Sequence, residues 1–186
     1  MDTAYARRYA RHISLSDVGP DGQERIRGAR AAVVGYDLAS DTAALYLTAA
    51  GVGAVARLDA SPRPGAAWLE ALADIDLVVR SGFDDDAMAG AARRLGIPVV
   101  VVRATPDLVD AVSFPGRAPD PAAALGAPAQ AATPGSNGAE AVLAGALAAA
   151  EALVVLSDPV ARGGAVRHLR LPLDGREPLA QTIGAR

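Results

Sequence analysis

Residues 35–41 are where this chain could begin to do chemistry. Gly35, Asp37, Ser40 and Asp41 stand between an apolar run, Ala31 to Val34, and a helical run from Asp41 to Ala50. A glycine turn between a strand and a helix lets backbone approach a phosphate, and the helix N-terminus attracts its charge. Here one glycine remains in the turn, and two carboxylates stand where the phosphates would lie. Like charge in that space opposes anion binding, so the turn reads as a corner that closes strand on helix. The same crevice, with Asp59 beyond the next strand, keeps a rival reading as a site for an uncharged or cationic ligand.

Other candidates are weighed the same way. Asp84-Asp85-Asp86 could hold magnesium, but acids opening a helix more often cap it. Ser81 and Ser113 have no histidine base at a suggestive spacing. His12 and His168 are far apart, and there is no cysteine, which excludes thioesters, persulfides and cysteine-ligated zinc. All 18 basic residues are arginine. Without lysine there is neither a Schiff base nor a Walker-type phosphate lysine.

The elements that must position these residues alternate. Short helices are expected within 3–16 and over 23–28. Strands are expected at 31–34, 55–58, 75–79, 98–102 and 109–114, with helices over 41–50, 68–73, 84–95 and 138–157. Residues 115–137 are rich in Pro, Gly and Ala and read as a long loop. The tail, with Leu169, Leu171 and Leu173 alternating with polar residues, reads as a solvent-facing strand. Asp174-Gly175 then turns into a final short strand. This pattern predicts an α/β fold: a Rossmann-like three-layer sandwich, its sheet mostly parallel with helices on both faces.

At 186 residues the chain is expected to form one domain. The net charge of -3 gives no reason to expect nucleic acid. The polar opening residues show no signal-peptide pattern, and Glu140 and Glu151 interrupt the Ala-rich 139–156 stretch. A buried helix is expected there rather than a membrane span, in a cytoplasmic protein.

Several segments together resemble the ThiF/MoeB/HesA family, bacterial relatives of ubiquitin-activating enzymes. They are Arg8-Tyr-Ala-Arg11-His-Ile13, Asp21-Gly-Gln-Glu24 with Ile26, the strand ending at Gly35, Tyr46 to Gly53, and Leu58-Asp59. Later segments, 76–102 and 138–156, look like the family's fourth strand onward and its C-terminal helix. The resemblance implies ATP- and magnesium-dependent adenylation of the C-terminus of a ubiquitin-like protein or peptide.

Departures fall on the working parts. Asp37, Leu38 and Ser40 replace loop glycines. Asp59 could match the family's ribose acid, but the segment supplying an asparagine, an arginine and a lysine to the phosphates is missing. Phe83 falls where the family has its magnesium aspartate, and Asp84 follows one residue late. Gly35, Asp37, Ser40, Asp59, Phe83 and Asp84 therefore read as a degenerate nucleotide pocket, with no bound ATP or magnesium expected.

The Arg-Tyr-x-Arg motif survives. In the family's dimers one of its arginines meets the nucleotide of the neighbouring subunit. Arg11 matches it, with Arg8 beside it. Arg8 alone also reads as a structural residue packing its stem on the sheet, and Arg11 as an exposed arginine on a solvated helix or one pairing with Asp17 or Asp21. The leading expectation is a non-catalytic subunit, in a homodimer or with an active relative, that supports a partner's adenylation of a carrier or peptide. The rivals are a divergent adenylyltransferase rebuilt on Arg63, Arg80 and the acids at 84–86, and a peptide- or protein-binding scaffold.

Overall fold

A computed structural model describes residues 3–61, 63–82, 86–116, 138–158 and 165–184. The chain opens with α1 (Thr3–Arg8), α2 (Ala10–Ile13) and α3 (Gly19–Gly28). The 3–16 segment is thus two helices, broken at Tyr9, whose ψ of 19° leaves the helical range. Then come β1 (Arg30–Val34), α4 (Leu38–Ala49), β2 (Ala54–Leu58), α5 (Gly65–Ala71), β3 (Leu77–Ser81), α6 (Asp86–Leu95), β4 (Val99–Thr105) and β5 (Leu108–Phe114). The helix Ala139–Ser157, called α7 here, is followed by β6 (Ala165–Pro172) and β7 (Leu179–Gly184).

All seven strands join one sheet in the order β2-β1-β3-β4-β5-β6-β7. The core strands β2, β1, β3 and β4 run parallel. From β4 onward each neighbour is antiparallel; short turns join β4 to β5 and β6 to β7, while α7 lies between β5 and β6 in the chain. Helices cover both faces, as the alternating pattern requires.

Strand residues sort by parity. Ala31, Val33, Leu77, Val79, Val100, Val102, Val109 and Ala111 face α4 and α7. Ala32, Val34, Val78, Val99, Val101, Val112 and Phe114 face Trp68 and Leu72 of the α5 segment and Met88 of α6. Near-continuous valine runs are what a strand covered on both faces needs. β6 is covered less completely: Leu169 and Leu171 pack against the α4/α7 core, and Val166 joins the cluster on the opposite face. The tail strand is therefore half-buried rather than simply solvent-facing.

Helix α7 is long and apolar enough to cross a membrane by length and composition. It lies in the core layer, with Ala141, Ala144, Ala148 and Ala152 buried. Gly145 brings it close to α4. A Cβ there would lie 2.3 Å from the Ala39 carbonyl oxygen and 2.6 Å from Thr42 Cβ.

Candidate functional site

Open α/β sheets offer their ligand crevice at the carboxyl ends of the parallel strands. In this chain that rim carries Gly35 after β1, Asp59 after β2 and Gly82 after β3. Gly35 makes the turn with φ +108, and its amide donates to Leu58 O at 2.9 Å.

Helix α4 starts three residues earlier than the sequence suggests, because Asp37 caps it. The Asp37 Oδ1 accepts from the Ser40 amide at 2.7 Å. Helix N-termini leave backbone N–H groups unsatisfied, and Asp is among the best side chains for taking one. A carboxylate of the chain itself thus sits on a donor that a phosphate oxygen would use. Ser40 is buried, and its hydroxyl turns inward to donate to Val34 O at 3.3 Å.

A residue that sequence reasoning passed over closes the corner. Arg57 lies opposite Val33 in the β1–β2 register. Its guanidinium donates to Gly35 O at 2.6 Å, to Ser40 O at 2.7 Å and to Asp41 Oδ1 at 2.6 Å. It also lies 5.1 Å from the centroid of the exposed Tyr36 ring. This changes the expected electrostatics. Asp41 is not a bare charge, since Arg57 neutralises it, and Asp37 is spent on the helix. The space is filled by internal partners rather than guarded by two free carboxylates. The one signal for Arg57 was a cation inside the apolar strand Ala54–Leu58.

Asp59 is likewise committed. Its carboxylate accepts from the Ser61 amide and the Ser61 hydroxyl, each at 2.9 Å. These bonds, the amide's foremost, hold its pKa below the ordinary value of 3.8. Arg63 donates to Asp59 O at 2.9 Å and lies 4.4 Å over the buried Trp68 ring. Residues 83–85, and with them Phe83 and Asp84, lie outside the described residues, as does the side chain of Asp86. So does 117–137 of the expected loop. Among the described residues, no three His, Asp or Glu side chains converge as a metal site.

The described residues do not fit a triphosphate cradle. The Ser40 amide holds Asp37, the Gly35 carbonyl holds Arg57, and Asp59 holds Ser61.

Arg11 is elsewhere and open. It is exposed at the end of α2, and among the described residues it forms no ion pair with Asp17 or Asp21. Arg8 is exposed too, with its guanidinium 5.6 Å from the Tyr9 ring. The neighbouring ring offers that guanidinium a cation–π partner. Tyr9 is buried against Gly51 at the end of α4, where φ is +88 and a Cβ would lie 2.6 Å from the ring. His12 is half-buried and meets Gln23 at 3.1 Å, so it is no simple surface residue.

Each face of the sheet's antiparallel half carries one buried acid. On the α5/α6 side Asp110 binds Arg103, His168 Nε2 at 3.1 Å and Arg170 Nε at 2.9 Å. Burial alone would raise its pKa, but hydrogen bonds from His168, Arg170 and Arg103 outweigh it and hold the carboxyl far below its ordinary value. On the α7 side Glu151 faces Arg167 and the Ser113 hydroxyl, each at 3.4 Å, and there burial wins and raises its pKa. No sequence signal marked either cluster, because the partners come from strands far apart in the chain.

Fold and site together define a Rossmann-like α/β protein with a glycine-turn crevice. Comparison with known proteins narrows the class. No protein-family model matches the chain. It is 44% identical over 52 residues to the probable adenylyltransferase/sulfurtransferase MoeZ of Mycobacterium tuberculosis, a match covering 28% of this chain and 13% of MoeZ. It is 41% identical over 59 residues to the SAMP-activating enzyme E1 of Haloferax volcanii, covering 32% of this chain and 22% of that enzyme. The chain therefore matches less than a quarter of these curated relatives' length. Among solved structures, PaaA superposes with a TM-score of 0.75 at 14% identity, over 98% of this chain and 84% of PaaA. Escherichia coli MccB, in complex with AMPCPP and MccA, superposes with a TM-score of 0.66 at 13% identity, over 100% of this chain and 73% of MccB. The resemblance to the ThiF/MoeB-like adenylyltransferases holds, in fold and in these matched segments.

Proposed function

We propose that this chain is a non-catalytic ThiF/MoeB-like subunit. It pairs with a second copy or an active relative and supports that partner's adenylation of a ubiquitin-like carrier or peptide C-terminus. The observation that carries this reading is the self-occupied corner: Asp37 on the Ser40 amide, and Arg57 on the Gly35 and Ser40 carbonyls. Adenylation aligns a carboxylate with an α-phosphate and neutralises charge in the transition state. A corner filled by its own carboxylate and guanidinium has little to offer either step.

Arg11 gives the chain something to contribute. A guanidinium stays charged and grips phosphate oxygens in a fork, so an exposed one can act on a neighbour's nucleotide. The α4/α7 layer supports pairing: Leu45, Tyr46 and Val142 are exposed large apolar residues on its outer surface. The carrier class comes from the relatives, one named a SAMP-activating enzyme and one solved with MccA.

The test is pyrophosphate exchange with a carrier peptide, using the chain alone, an active relative alone, and both. Exchange that needs the relative and rises with this chain supports the reading, and Arg11→Ala should remove the rise. Exchange by this chain alone would move it to the divergent enzymes. Unchanged partner activity with Arg11→Ala in an intact assembly would leave only a scaffold, for which the uncharged edge strand β7 is the open surface.

A further inference from the structure

Helix α2 has four residues and none of them is buried. Isolated helices this short have no stability of their own in water. Something else must fix the backbone that presents Arg11, and one side chain is placed to do it. Gln23, on α3, is fully buried. Its Nε2 donates to Tyr5 OH of α1 and to Ala50 O at the end of α4, both at 3.0 Å. Its Oε1 lies 3.1 Å from His12 Nδ1 of α2. We infer that Gln23 is the positioning residue of the Arg-Tyr-Ala-Arg motif, joining α1, α2 and α4 through one amide so that Arg11 is held in a fixed place. The link from docking to a neighbour's nucleotide rests on the function proposed above, while the docking itself does not.

The hydrogen-bond inventory makes this more than a packing statement. An amide nitrogen has two protons, and both are spent on Tyr5 and Ala50. The amide oxygen can only accept, so His12 must donate from Nδ1. That fixes the ring as the Nδ1–H form when neutral. Protonation at Nε2 leaves the contact intact, so docking does not depend on this histidine's charge. His168 is set the other way. Its Nε2 faces the Asp110 carboxylate, which can only accept, so Nε2 carries the proton while Nδ1 accepts from Gln181 at 3.4 Å. The chain has just these two histidines, and they are predicted to hold opposite tautomers.

The aromatic partners complete the dock. The Tyr5 and Tyr9 rings pack at a tilt of 47° with centroids 4.4 Å apart, and Tyr5 OH also reaches Gly51 O at 3.4 Å. Both rings therefore bear on the end of α4. Gln23 closes the same contact from beneath.

The experiment compares the full chain with Gln23→Leu, which keeps bulk and removes the amide. Nitrogen-15 ring spectra should show His12 as Nδ1–H and His168 as Nε2–H in the natural chain. In the variant the His12 signature should be lost while that of His168 stays. Trypsin cuts only after arginine here, and cleavage after Arg7, Arg8 and Arg11 should speed up about tenfold with cleavage after Arg30, Arg57, Arg80 and Arg103 unchanged, as expected for local opening. A His12 found as Nε2–H in the natural chain, or an unchanged His12 signature and cleavage rate in the variant, overturns the inference. Should Gln23→Leu not fold, Tyr5→Phe and His12→Ala each remove one link and must each accelerate cleavage. The partner assay separates the two claims. If Arg11→Ala lowers partner activity, Gln23→Leu should match it and the double variant should add nothing, whereas an additive loss contradicts positioning. If Arg11→Ala has no effect, the proposed role of Arg11 fails, and the tautomer and cleavage results still decide the docking.

Discussion

Asp37 and Ser40 close the N-terminus of α4: the carboxylate of one accepts from the amide of the other at 2.7 Å. The bond is ordinary capping chemistry, and it takes up one of the free donors at the start of α4. Removing it should cost what a lost cap costs. Asp37→Ala is predicted to lower unfolding free energy by about 1 kcal/mol, read from the urea midpoint at unchanged slope. An unchanged midpoint would mean that the bond does not hold the helix end in solution.

Arg57 and Asp41 form an ion pair at 2.6 Å, but the two are not equal partners. Asp41 is 60% exposed, so solvent screens what it contributes, and Asp41→Asn should cost under about 1 kcal/mol. Arg57 also serves two carbonyls. Arg57→Leu should cost about 2 kcal/mol, because Gly35 O and Ser40 O lose their donor. Equal costs for the two variants in matched denaturation curves would reduce Arg57 to a surface charge.

The two buried acids predict opposite responses to pH. The Asp110 carboxyl is held below its ordinary 3.8, so its contribution is complete above that value and lost as pH falls towards the lower folded value. Asp110→Ala should cost about 3 to 5 kcal/mol at neutral pH, since Arg103 and Arg170 lose their carboxylate and His168 Nε2 loses its acceptor. It should also flatten stability against pH below 3.8. Glu151 is raised above 4.5, so the folded state holds its proton more tightly. Its contribution is present below 4.5 and lost as pH rises through the folded value. Glu151→Gln should therefore flatten the curve on that side only.

Gly145 sits where α7 meets α4. Alanine gains about 1 kcal/mol over glycine in an exposed helix. Here the new methyl would lie 2.3 Å from a backbone oxygen. Gly145→Ala is thus predicted to destabilise, by about 1 to 3 kcal/mol, through forced separation of the helices. A stabilised variant would show that the helices part without strain.

Much of the fold was legible because it rests on local signals. The apolar runs at 77–79 and 99–102, the stops at Gly51 and Gly96, and the turn at Asp174-Gly175 each carry their own conformational reason. Element ends were less legible. α4 begins at Leu38 because the Asp37 carboxylate accepts from the Ser40 amide, and β4 runs on to Thr105 because β5 folds back on it, which no local pattern announces. The site was legible in outline from Gly35, Asp37, Ser40 and Asp59. Arg57 was not, since only the pairing of β1 with β2 brings it over the turn. Nor was Gln23, whose partners lie 11, 18 and 27 residues away.

The central claim is that this chain's own crevice no longer holds a nucleotide. Equilibrium binding of ATP with magnesium to the purified full chain, followed by calorimetry, tests it most directly. The account predicts no saturable heat at micromolar ATP. Micromolar affinity, lost when Asp59 or Ser40 is replaced, would contradict it.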